Sequence, residues 1–141
     1  MHRPRIWPWS RRRRSLPTSL DVGRRGERFA VKALRRAGYR ILATNVRTPK
    51  GEVDVLAVER AHLVVVEVKT TATDGGLPPG CRLGGRQQRR LLAAGRWLRT
   101  RSARRRLPLR FDLVSVTLGP AGPHVVIHRG RFGGSAFTPW A

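Results

Sequence analysis

Three side chains in the middle of the chain stand out by type and spacing: Asp54, then Glu67 after twelve intervening residues, then Lys69, all within GEVDVLAVERAHLVVVEVKT at residues 51–70. Glu67 and Lys69 are two apart in an apolar, β-branched run, so on a strand they share a face. Glu52 and Asp54 are related in the same way. Acids are scarce here: the chain has eight Asp and Glu against thirty Lys and Arg, and four of the eight fall in this window. Two carboxylates held close on a sheet face repel each other and lose hydration, which is costly unless a cation lies between them. A hard divalent ion such as magnesium takes oxygen ligands, keeps several waters and bridges to phosphates. It also acidifies a bound water and stabilises charge developing on a phosphodiester, where Lys69 could orient the water or neutralise the transition state.

That chemistry needs particular elements around it. The runs 53–58 and 63–69, separated by the polar ERA, read as an antiparallel hairpin. Asp54 lies opposite Glu67 only if residue 59 pairs with 62 and 58 with 63. A three-residue loop would turn them to opposite faces, so an even-numbered turn or a bulge is expected at ERAH. The second run is apolar on both faces and is expected to be a central strand.

Before the hairpin, apolar residues at helical spacing from Phe29 to Ala37 predict a helix over residues 22–37, capped by Asp21 and stopped by Gly38. A short strand, YRILATNV, should follow. After the hairpin comes TTATDGGLPPGCRLGG, a long Gly/Pro-rich loop. RQQRRLLAAGRWLRTRS is a second amphipathic helix, with Leu91, Ala94, Gly95 and Leu98 on one face. Two more strands, LRFDLVSVTL and HVVIHRG, are joined by a GPAGP turn. The expected fold class is α/β, a mixed central sheet flanked by helices in the order αβββαββ.

Composition sets the setting. A chain of 141 residues with 40% hydrophobic residues can bury a core as one domain. The formal net charge of +22 points to polyanions, with nucleic acid first. Residues 1–20 read as a basic, disordered arm, 21–130 as the domain and 131–141 as a tail. The Arg run near the start lacks the apolar stretch of an export signal. With one Cys, Cys81, and no membrane-length apolar run, the expected location is cytoplasmic, with no membrane association.

Other candidates are weaker. Cys81 has no neighbouring His, and His62, His124 and His128 lack metal-ligand spacing. Phe29 and Trp97 are expected in the core. Asp112 is expected to pair with Arg110, and Glu59 to belong to the turn. A lone Glu-x-Lys is more often a salt-bridged strand than a site, and it is the preceding Asp at hairpin spacing that lifts this one.

Asp54, Glu67 and Lys69, written as GEVD followed by VVVEVK, resemble the PD-(D/E)xK signature of restriction-endonuclease-like nucleases, although the Pro is replaced by Glu52 and Val53. More narrowly, GERFAVKALRRAGYRILATNVR, the hairpin, RQQRRLLAAGRWL and LRFDLVSV resemble the small YraN-like family of bacterial proteins over roughly residues 23–118. That family is regarded as distantly related to archaeal Holliday-junction resolvases. The resemblance implies a restriction-endonuclease-like core and a metal-dependent endonuclease activity on DNA, including branched DNA. It makes Asp54 and Glu67 ligands of Mg2+ or Mn2+, Val68 the donor of a backbone carbonyl, Lys69 the catalytic lysine and Glu27 an accessory acid. A homodimer follows from the resolvase analogy alone. Phosphate contacts are expected from Arg86, Gln87, Arg89 and Arg90, although the family's second helix usually begins with Lys where this chain has Gln87. The alternative is a non-catalytic nucleic-acid-binding protein that keeps the nuclease fold.

Overall fold

The computed structural model describes residues 18–72 and 83–130. The expected arm at 1–20 falls outside them for all but its last three residues, as do most of the Gly/Pro-rich loop with Cys81 and the tail. The elements run α1 (Ser19–Arg36), β1 (Arg40–Thr48), β2 (Gly51–Glu59), β3 (His62–Thr71), α2 (Gly85–Arg101), β4 (Leu109–Gly119) and β5 (Gly122–His128), which is the expected αβββαββ order.

The five strands lie in sequence order across one mixed sheet. Only β3 and β4 are parallel, and α2 makes the crossover between them. β3 is central, with Leu63, Val64, Val65 and Val66 all fully buried. Its odd residues pack with Leu91, Leu92 and Ala94 of α2, and its even residues with Ala30 and Leu34 of α1. The fold is therefore a helix on each side of one sheet, which explains why the strand is apolar on both faces.

Two details place α1. Its cap is Thr18 rather than Asp21: Asp21 is the third helical residue and reaches back to Thr18 in a capping box. The helix therefore starts three residues before the expected position. On the sheet side, Gly26 lies so close to Thr70 of β3 that a Cβ there would overlap the threonine hydroxyl and methyl. That contact fixes how near the next residue, Glu27, can come to the hairpin.

The β2–β3 connection is the two-residue turn Arg60 and Ala61, with Glu59 paired to His62 and Val58 to Leu63. Arg60 takes the left-handed φ of 53° that such a tight turn demands. This is the even-numbered turn the spacing requires.

Glu59 is more than a turn residue. It is 5% exposed and bonds Arg110 at 2.8 Å, and Arg110 in turn holds fully buried Asp112 through two bonds of 2.8 and 2.9 Å. The Tyr39 hydroxyl donates to Asp112 at 2.7 Å, and the Gly130 amide donates to it at 2.8 Å. Burial and the Asp112 bond both push the Tyr39 hydroxyl pKa up. This network ties the end of α1, the hairpin turn, β4 and the exit from β5 together. Phe29 packs on the α1-side core as expected. Trp97 does not belong to either core cluster: it is half-buried, with the Arg101 guanidinium 4.0 Å from its ring centroid.

Candidate active site

The hairpin opens into a fork at its far end. Pairing of β2 with β3 stops at Val55 and Val66, while β2 stays with β1 as far as Gly51 and β3 stays with β4 as far as Thr71. Asp54 and Glu67 occupy the next position on either side of that gap. The alternation of β2 also slips here, since Val53 packs in the α2-side core and Val55 in the α1-side core. Across from it, Asn45 of β1 has a left-handed φ of 51° and is skipped in the pairing between Thr44 with Val55 and Val46 with Val53. Such an irregularity releases side chains from the regular in-and-out pattern, as bulges near functional sites do.

Asp54 Oδ2 accepts the backbone N–H of Val68 at 2.8 Å, which pairs a donor the fork would otherwise leave unsatisfied. Val68 therefore enters the site through its amide; its carbonyl was the group expected from the resemblance. Glu67 is 7% exposed. Its Oε1 accepts from Gln87 Nε2 at 2.8 Å and lies 3.2 Å from Lys69 Nζ.

The carboxyl groups are electrostatically strained. Burial, and next the charge of Asp54, raise the Glu67 pKa to about 7 against the pull of Lys69. Burial raises that of Asp54 too, partly offset by the Val68 amide, a hydrogen bond with Glu67 and the Lys69 charge. Glu27 on α1 is raised by burial and by the charge of Asp54, and Asn45 bonds its side chain. Without a further cation, then, the surroundings disfavour both carboxyls being charged together.

The structure thus brings Glu27, Asp54, Glu67 and Lys69 into one site. It adds Asn45, a residue sequence reasoning missed, whose signal was a turn-favouring Asn inside ILATNV. Gln87 turns inward onto Glu67 and orients it. The expected phosphate contacts divide: Arg86 and Arg89 are exposed on the first turns of α2, while the Arg90 stem lies across Gly51 at the β1–β2 turn.

The donor set suits a hard divalent cation. Among the described residues no three Asp, Glu, His or Cys side chains close into a cage. An ion here would be held by Asp54 and Glu67 and complete its shell with water, the usual habit of magnesium. The upward pKa shifts of both carboxyls mark where positive charge is missing. Among the described residues no helix is long and apolar enough to cross a membrane.

Comparison with known proteins shows the family. The model of the uncharacterised protein family UPF0102 matches residues 26–116, a span that holds all five of Glu27, Asp54, Glu67, Lys69 and Gln87. A UPF0102 protein of Anaeromyxobacter is 40% identical over 114 residues, covering 79% of this chain and 84% of the relative. One from Symbiobacterium thermophilum is 41% identical over 104 residues, 74% of this chain and 88% of its own. A third, from Syntrophotalea carbinolica, is 40% identical over 97 residues, 69% and 79% respectively. With a match over more than half of the chain and identity at this level, the chain belongs to the UPF0102 family, the YraN-like proteins.

Proposed function

We propose that this protein is a metal-dependent endonuclease that hydrolyses phosphodiester bonds of DNA, including branched DNA. The observation that carries the reading is the pair Asp54 and Glu67 at the fork, both with carboxyl pKa values raised by burial, with Lys69 3.2 Å from Glu67. A buried carboxylate pair of this kind is unfavourable for stability alone and useful for binding a cation.

A bound Mg2+ or Mn2+ would supply an acidified water and charge stabilisation at the phosphate. Asp54 and Glu67 would hold the ion, with Gln87 fixing the Glu67 rotamer and the Val68 amide that of Asp54. Lys69 directs its ammonium at the attacking water or at the charge building on phosphorus. The water oxygen bonds to phosphorus as the bond to the 3′ oxygen breaks, leaving 5′-phosphate and 3′-hydroxyl ends. Glu27, its pKa raised, is placed to take the proton that the water gives up.

A binding protein without catalysis is the second reading, favoured by the lack of a three-ligand cage among the described residues. Incubating the protein with four-way junction, flap and linear DNA in Mg2+ or Mn2+, beside Asp54→Ala and Lys69→Ala, separates the two. Cleavage by the wild type that both variants lose supports the nuclease. Binding of every substrate without cleavage supports the second reading, and cleavage that survives in both variants removes this active site.

A further inference from the structure

The buried stripe of α1 is Gly26, Ala30 and Leu34. Around that stripe the helix carries Arg24, Arg25, Arg28, Lys32, Arg35 and Arg36, all exposed and so away from the core. None of the six is in a salt bridge with a described carboxylate. Like charges at i, i+4, as in Arg24, Arg28, Lys32 and Arg36, each cost a helix a few tenths of a kcal/mol. A row of them needs an external anion to offset it.

All six line one cleft of about 1140 Å3, whose other wall is Thr44 and Asn45 of β1 with Asp54 and Val55 of β2. Glu27 lies in the same cleft. The cationic wall thus runs on to Glu27 and Asp54 of the candidate site. From Arg24 to Arg36 the helix rises about 18 Å, enough for about five phosphates of one strand at roughly 3.4 Å each. Among the described residues no aromatic side chain lines the cleft, so these residues do not offer base stacking, the usual grip on unpaired bases. On α2, Arg90 packs on Gly51 and Arg101 on Trp97, while the exposed Arg86 and Arg89 do not line this cleft.

We propose that this cleft holds the sugar-phosphate backbone of a nucleic-acid strand along α1, with the phosphate to be cut at the Glu27 and Asp54 end. Recognition is through phosphates and is indifferent to base sequence. This rests on the nuclease reading for what happens at that end, but binding in the cleft is measurable without cleavage.

The test is fluorescence anisotropy with the full chain in EDTA, using labelled single-stranded DNA and RNA of the same sequence and duplex DNA, all about 20 nucleotides long. Salt is varied between about 50 and 200 mM. Two double variants remove equal charge: Arg28→Gln with Lys32→Gln in the cleft, and Arg105→Gln with Arg106→Gln. The second pair is exposed in the loop before β4, at the end of the sheet away from the fork. The cleft variant should weaken binding about tenfold or more and reduce the salt slope by about 1.4 to 1.8. The loop variant should change affinity by less than about threefold, and DNA and RNA strands should bind within a few-fold of each other. Equal losses in both variants would reduce the effect to bulk charge and overturn the cleft, as would no binding by the wild type. Cleft-dependent binding without cleavage in Mg2+ or Mn2+ would sink the nuclease and leave the cleft standing. Asp54-dependent cleavage with unchanged affinity in the cleft variant would do the reverse.

Discussion

Asp54 and Val68 are joined across the fork by a 2.8 Å hydrogen bond from the Val68 amide to the Asp54 carboxylate. The bond makes Asp54 a structural acceptor as well as a candidate ligand. Asn at position 54 keeps an acceptor oxygen and drops the charge that Glu67 opposes, whereas Ala leaves the amide unpaired. Asp54→Ala should therefore be less stable than Asp54→Asn by about 1–3 kcal/mol in urea unfolding with EDTA at pH 8. Equal midpoints would mean that the bond carries no weight.

Glu67 gives stability a pH dependence of definite sign. Its folded pKa is about 7 against an ordinary 4.5, so the folded state holds the proton more tightly than the unfolded chain. Stability from this group is complete below the unfolded value and lost as pH rises through about 7. The metal-free wild type should lose roughly 2 to 3 kcal/mol relative to Glu67→Gln between pH 4.5 and 8. Glu67→Gln should then be the more stable protein at pH 8 and inactive. Parallel stability profiles for the two proteins would remove the strain from the site.

Gly26 and Gly23 make an internal comparison on one helix. A Cβ at Gly26 meets Thr70, while one at Gly23 meets nothing within 4 Å. Gly23→Ala should gain about 0.5–1 kcal/mol from helix propensity. Gly26→Ala should lose about 1–3 kcal/mol through overpacking, and should also lower cleavage because Glu27 moves with the helix. Thermal midpoints that rise for both would show that α1 can shift freely on the sheet.

Arg110 holds two buried acids, Glu59 and Asp112. Arg110→Ala removes the cation that both share, leaving Glu59 to the more distant Arg60 and Arg129 and Asp112 to the Tyr39 hydroxyl and the Gly130 amide, and should cost about 3–5 kcal/mol. Lys at this position should rescue little, since a point charge cannot reproduce the two-pronged contact with Asp112. Tyr39→Phe removes a single bond to the charged Asp112 and should cost about 1.5–3 kcal/mol. Urea midpoints that rank Tyr39→Phe below Arg110→Ala would contradict this order.

The hairpin was legible because register and chemistry constrain each other: Asp54 meets Glu67 only with an even turn, and Arg60 with Ala61 is one. Strand order and the two helices follow from periodicity in the same way. What was hidden depends on contacts between residues far apart in the chain. Glu59 looks like a turn acid until Arg110 arrives from β4, some fifty residues later. Gln87 looks like a surface residue of α2 until the crossover brings it onto Glu67. Asn45 is positioned by a left-handed backbone that its residue type only permits. The cap was misplaced by three residues because an Asp serves equally well as cap or as the far member of a capping box.

Mn2+ titration followed by electron paramagnetic resonance at pH 8 tests the carboxylate pair without needing the substrate. The wild type should bind Mn2+, Asp54→Asn and Glu67→Gln should each lose that binding, and lowering the pH through about 7 should weaken it in the wild type as Glu67 takes its proton. Mn2+ binding that is the same in the wild type and both variants would contradict a metal site between Asp54 and Glu67.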